Sequence, residues 1–317
     1  MKSRSRAFTL VELLLVVFIL AAVAATTASL ATQADEQFRF DDTRARREEV
    51  RRAILGDPLL KANGQPVVSG FAADVGRAPV SLRELLDPAL PPPAWSFDPV
   101  AQQWAGWRGP YLRGDTIVDP SDPIDGQRRV YRDGWANLGP DPAAEQDNYG
   151  WLYASASGLV SLASYGSDGA PGGAQPYASD QPPDPTLVRP HDVELSVRSW
   201  VVSVTLQNRS GATLAAQAFR LRLFAPRLSP DGSALEWPLH RSAAVTMPSD
   251  LADGGDWSAD FAFPAAPESD GIPCGVRTLN LVLDDGSSLA TPPRAASVTL
   301  TAGSTLQPLG IRLLISP

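Results

Sequence analysis

"RAFTLVELLLVVFILAAVAATTASLA", residues 6–31, decides how the rest of the chain is read. From residue 8 to residue 31 it holds one charged side chain, Glu12, and no proline. As a helix it reaches roughly 36 Å, enough to cross a hydrocarbon core. Lys2, Arg4 and Arg6 precede it, so the positive-inside bias places the N-terminus in the cytoplasm and the following bulk across the membrane. The small-residue stretch "ATTASLATQADE" would also suit a cleaved secretory signal, so hydropathy alone leaves both readings open. Glu12 carries more information, because a carboxylate near the bilayer is costly unless it is paired or reaches the interface. One local role is a capping box, with Thr9 as N-cap and Glu12 three residues on.

The order of basic leader, small residue and "FTLVELLLVV" resembles the prepilin signal of type IV pilins and type II secretion pseudopilins. The resemblance implies that a prepilin peptidase removes residues 1–7, cutting between Ala7 and Phe8, and that the new amine of Phe8 is methylated. It also implies that Phe8 and Glu12 serve assembly. Physically, an ammonium on Phe8 and the carboxylate of Glu12 can neutralise each other within or between subunits, which favours one packing register. Ala7 stands where the family has Gly, and it keeps the small size.

The helix is expected to continue past the membrane. "ATQADEQFRFDDTRARREEVRRAIL" (31–55) has six acids and six arginines without Pro or Gly, and Asp35/Arg39, Asp42/Arg46 and Glu48/Arg52 stand at acid-first i,i+4 spacing. Gly56-Asp57-Pro58 then ends it. The predicted spine, 8–55, is about 70 Å long.

Beyond the spine, "GFAADVGRAPVSLRELL" (70–86) reads as a loop and a short helix, with a Ser81/Glu84 capping box and Leu82, Leu85 and Leu86 facing inward. "GWRGPYLRG" (106–114), "YRDGWANLG" (131–139), "NYGWLYAS" (148–155) and "LVSLASYGSDGAPGG" (159–173) place Trp and Tyr between glycines, a pattern of short antiparallel strands and turns. In this order the four pieces resemble the head of the major pseudopilin of type II secretion, where the last loop binds calcium. The resemblance maps Asp168 onto the first ligand and Asp180 onto a second if one inserted residue is allowed. On chemical grounds a Gly-rich loop with two carboxylates offers the hard oxygens that calcium takes. The acidic cluster between them is replaced by "AQPYAS", and a plain Asp-Gly turn is the equally open reading.

"QPPDPTLVRP" (181–190) reads as a Pro-rich linker. After it come eight short alternating or β-branched runs, from "VELSV" to "LGIRLLI", divided by turns such as "SPDGS" and "DDGSS". That spacing predicts a β-sandwich, immunoglobulin-like in a loose sense. The expected fold is therefore α+β: leader 1–7, transmembrane and spine helix 8–55, pilin-like head 56–180, linker 181–190 and all-β sandwich 191–317.

Chemistry-bearing groups are sparse. Cys274 is the only cysteine, which rules out an internal disulfide; His191 and His240 are the only histidines, and either could pair in space with a Ser and an Asp, but one in a linker and one next to a strand read as surface histidines. No phosphate loop or CxxC occurs, and a formal charge of −8 argues against nucleic-acid binding. The expected function is that of a structural, non-enzymatic subunit of a type II secretion pseudopilus or type IV pilus-related filament at the bacterial inner membrane. The implied partners are the prepilin peptidase, other pilin or pseudopilin subunits, an inner-membrane assembly platform and secreted cargo. The alternative is a membrane-anchored periplasmic binding module that does not polymerise.

Overall fold

The computed structural model describes residues 10–62, 65–86, 92–118, 127–137, 149–174, 176–195, 200–229, 231–263, 271–285, 294–301 and 309–315. The leader, Ala7, Phe8 and Thr9 lie outside these.

Helix α1 runs Leu10–Leu55 without a break, as a segment free of Pro and Gly should. All three foreseen ion pairs form: Asp35–Arg39 at 2.9 Å, Asp42–Arg46 at 2.8 Å and, more loosely, Glu48–Arg52 at 3.9 Å. Gly56 stops the helix in a left-handed conformation, φ +95°, and a Cβ there would lie 2.1 Å from the Ser69 hydroxyl. Only Thr43, Val50, Ala53 and Ile54 of α1 are buried, so the head grips the helix by its last turns.

Two short helices follow, α2 (Phe71–Val75) and α3 (Arg83–Leu86). Every residue of α2 is buried. Gly70, just before it, allows the chain to press on the end of α1, since a Cβ would meet the carbonyls of Ala53 and Ile54 at 2.6 Å. Leu82, Leu85 and Leu86 are buried as expected. Glu84 reaches back to the amide of Val80 at 2.8 Å, one residue before the predicted cap, and clasps Arg77 through both oxygens.

The head strands are β1 (Ser96–Asp98) with β2 (Gln103–Ala105), β3 (Asp115–Val118) with β4 (Gln127–Val130), and a three-stranded antiparallel sheet of β5 (Trp151–Ala156), β6 (Leu159–Ser164) and β7 (Thr186–Val188). "NYGWLYAS" and "LVSLASYG" thus supply the expected hairpin. One expectation fails. Most of residues 106–114 is an irregular clamp, because the Tyr111 and Leu112 amides bind the Leu85 carbonyl and not a neighbouring strand. The described part of "YRDGWANLG" is a turn, one of the two forms expected, and it is seated on α1.

The segment read as a linker is part of the head. Gln181 exchanges backbone hydrogen bonds with Ser164, Thr186–Val188 pairs with β6, and Leu187 and Val188 are buried. Its prolines flank a strand of β-branched and apolar residues at the sheet edge, a position where proline is tolerated.

The remaining strands form two facing sheets. One holds β12, β8 and β15 in that order, where β8 is Trp200–Asn208, β12 Asp256–Phe263 and β15 Leu309–Ile315; β15 joins β8 in parallel. The other is built on β9 (Ala218–Phe224), which pairs with β10 (Leu239–Arg241), β11 (Val245–Thr246) and β13 (Gly275–Leu283), the last carrying β14 (Arg294–Leu300). Alternation decides the faces: Val202, Val204 and Leu206 are buried against Phe219, Leu221 and Leu281, while Thr205 and Ser258 meet outside at 2.9 Å. Phe219 and Trp257 pack at 5.4 Å between ring centroids.

No break in the core separates the sandwich from the head. One buried cluster includes Ile54, Phe71, Trp151 and Val188 as well as Val202, Leu221 and Leu279. At the junction Arg277, 2% exposed, donates to the carbonyls of Pro273, Cys274 and, in α2, Ala73. Burial lowers its pKa to about 10, with the Cys274 thiol and Asp74 opposing the shift. Cys274 is fully buried, its thiol pushed up to about 12 by desolvation.

Candidate functional site

The first candidate is the apolar half of α1. Leu10 is 79% exposed, Phe18 69% and Leu20 63%, and none of the apolar window is buried by the rest of the chain. Glu12 lies in the first turn of the described helix. Polar side chains in this stretch are satisfied locally: the Thr26 and Thr27 hydroxyls donate to the Val23 carbonyl at 2.9 and 3.0 Å, and Thr32 donates to Ala28. Such back-bonding lets threonine sit in an apolar medium without an orphaned hydroxyl. Among the described residues this is the one helix long and apolar enough to cross a membrane.

Residues 2–28 match the family described as the prokaryotic N-terminal methylation motif. The chain carries a prepilin-type signal. The match spans Ala7, Phe8 and Glu12, and with the long apolar helix it fits a single-pass, membrane-anchored precursor of the pilin or pseudopilin kind. Among curated proteins there is no significant match. One solved structure, titled "Trapped Toxin", shares 13% identity over 37% of this chain and 21% of its own, at a TM-score of 0.13, so no argument rests on it.

The second candidate is the loop from Ser164 to Gln181, which meets α1 at Gln37 and Phe40. Its two ends are tied together by Ser167 N to Tyr177 O at 2.7 Å and Asp180 N to Gly172 O at 3.0 Å. Tyr177 anchors the loop to the spine: its ring packs on Phe40 and Trp135, and its hydroxyl donates to Gln37. Asp168 is exposed at the end of a short 3-10 turn, where its Oδ1 accepts from Ala170 N. Asp180 is half-buried, and its Oδ1 is shielded from solvent with no hydrogen-bond partner among the described residues. An orphaned carboxylate oxygen beside Gly-rich backbone suits a hard cation. Among the described residues no group of three or more acidic, His or Cys side chains converges, so backbone carbonyls would have to complete such a site.

Sequence reasoning missed the hub behind this loop. Asp133, 1% exposed, accepts from the Ser164 hydroxyl and the Asn137 side chain, each at 2.8 Å, and Asn137 also donates to the Gly166 carbonyl. Burial raises the Asp133 pKa, opposed by these hydrogen bonds. The same turn seats on the spine through Gly134 N to Thr43 Oγ1 at 3.0 Å, and a Cβ at Gly134 would lie 2.4 Å from the Arg39 carbonyl. The "DG" pair was the available signal, but it reads only as a turn until its distant partners are known.

His191 is exposed beside Asp192, and His240, its pKa lowered by burial and by Arg227, sits in β10. Neither meets a serine or cysteine in an arrangement suited to nucleophilic catalysis among the described contacts.

Proposed function

We propose that the chain is a structural subunit of a type II secretion pseudopilus or a type IV pilus-related filament. It inserts with its N-terminus in the cytoplasm, loses residues 1–7 to a prepilin peptidase, and assembles with other subunits on an inner-membrane platform by stacking α1. The head and sandwich are displayed outside, where they cap or decorate the filament or meet secreted cargo.

The observation that carries this reading is the apolar half of α1, which none of the described residues covers. Each large side chain left in water forgoes about 1.5–3 kcal/mol of burial, so the dozen exposed between Leu10 and Leu30 require lipid or another copy as surroundings. In such surroundings the Phe8 ammonium of one subunit and Glu12 of the same or a neighbouring subunit would neutralise each other. The loop at Asp168 and Asp180 is proposed to hold calcium, with the orphaned Asp180 oxygen as a ligand; the ion would fix the loop against the spine without any catalytic part.

The test is cross-linking in membranes of the host. Pairs of cysteines placed on opposite sides of α1 between Leu13 and Leu20 should yield ladders of linked subunits, and Glu12→Ala should abolish them. Monomers alone, under the same conditions, would leave a tethered binding module that does not polymerise.

A further inference from the structure

The loop proposed to hold calcium is short of oxygen ligands. Calcium takes roughly six to eight oxygens, and the carboxylates of Asp168 and Asp180 supply at most about four. The stretch between Gly173 and Asp180, "AQPYAS", adds no carboxylate. A side chain from outside the loop reaches it. Asn137 lies in the turn seated on α1, and its amide spans the gap to the 3-10 turn Gly166–Asp168. Both Nδ2 hydrogens are engaged, one by Asp133 Oδ2 at 2.8 Å and one by the Gly166 carbonyl at 3.2 Å. That settles which way round the amide stands, because two acceptors cannot face its oxygen. Among the described residues nothing donates to Oδ1. A Cβ at Gly169, the residue after Asp168, would lie 2.8 Å from this oxygen, so the glycine leaves it open towards the loop.

We propose that Asn137 Oδ1 is a side-chain ligand of the ion held at Asp168 and Asp180, and that Asp133 is the positioning residue behind it. The assignment rests on the calcium reading of the loop and names an oxygen that makes up for the absent carboxylates. An amide carbonyl is a hard oxygen of the kind calcium accepts. A carboxylate behind such a ligand fixes its orientation and increases the negative charge on the coordinating atom. Asp133 stands in that place. It is 1% exposed and accepts from Asn137 through both oxygens, the backbone amide at 3.3 Å and the side chain at 2.8 Å. Ser164, at the root of the loop, donates to the same Oδ2 at 2.8 Å and accepts from the Gly166 amide at 3.1 Å, which ties hub and loop into one arrangement.

The test uses the full-length chain in detergent micelles with terbium(III), an ion of calcium's size and ligand preference whose emission a nearby indole excites. Trp135, buried two residues before Asn137 and packed on Tyr177 at 5.8 Å, is the antenna. The parent should give a saturable emission that calcium displaces and Asp180→Ala removes. Emission lifetimes in water and heavy water then count the waters on the ion. Asn137→Ala should raise that count by about one, as water replaces the lost oxygen, and weaken calcium binding roughly tenfold. Asn137→Asp keeps an oxygen without the donors and should hold the parent's count, which covers the case of an alanine variant that fails to fold. Asp133→Asn should weaken calcium roughly tenfold at the parent's count, and parent affinity there would overturn the part given to Asp133. An unchanged count in Asn137→Ala, or a raised one in Asn137→Asp, would overturn the ligand and leave the calcium reading standing. No saturable emission from the parent, or one that survives Asp180→Ala, would overturn the calcium site and this ligand with it.

Discussion

At the scale of single residues, the account turns on Gly134 and Asp133. A methyl group at 134 has no room beneath the Arg39 carbonyl, so Gly134→Ala must push the turn off the spine. The expected cost is about 2 kcal/mol, read as a lowered midpoint in denaturant. Asp133 adds a pH signature. Its folded pKa is raised, so the folded state binds its proton more readily than the unfolded state, and this group's contribution to stability grows as pH falls from neutrality through that raised pKa. Asp133→Asn has no such titration. The stability difference should therefore move in favour of the parent on going from pH 7 towards pH 4, by at most roughly 1.4 kcal/mol per pH unit. A flat difference across that range would mean that Asp133 is not held in a desolvated site. None of this was visible in the sequence, because Ser164, which donates to Asp133, lies 31 positions away, and the Gly166 carbonyl that Asn137 holds is as distant.

At the scale of elements, Arg47 ties α1 to the head sheet by donating to Leu162 O and Thr186 O. Arg47→Ala would remove charged donors from partly buried carbonyls, an expected loss of about 2–3 kcal/mol with faster hydrogen exchange at 186–188. The loop from Ser164 to Gln181 gives the metal prediction. Calcium at a hundred times its dissociation constant should stabilise the protein by about 2.7 kcal/mol, and Asp180→Ala should remove that gain; no shift of the melting curve with calcium would remove the metal from the account. Elements differ in how far the sequence discloses them. The spine was legible because its signals are local: no Pro or Gly, and acid-first ion pairs that form where spacing puts them. The long sandwich strands were legible for the same reason, through alternation. Residues 106–114 and 181–190 were not, since the first binds a helix carbonyl and the second completes a sheet begun over twenty residues earlier, and composition encodes neither partner.

At the scale of the whole molecule, the shared core implies that head and sandwich do not fold as independent beads. A chain ended at residue 190 would expose the α2 surface that Gly275 and Arg277 pack against, and it should be aggregated or lack fixed near-ultraviolet dichroism; a cooperative, soluble fragment would show that the junction is dispensable. A rigid junction would let the sandwich be displayed in a fixed attitude on each spine. All of this presupposes that the N-terminal helix enters a filament as a processed, methylated end. The most direct measurement is the intact mass and N-terminal sequence of the chain isolated from a host that has a prepilin peptidase. The account predicts a mature chain that begins at N-methylated Phe8; a chain that still begins at Met1, or one cut well beyond Phe8, would contradict it.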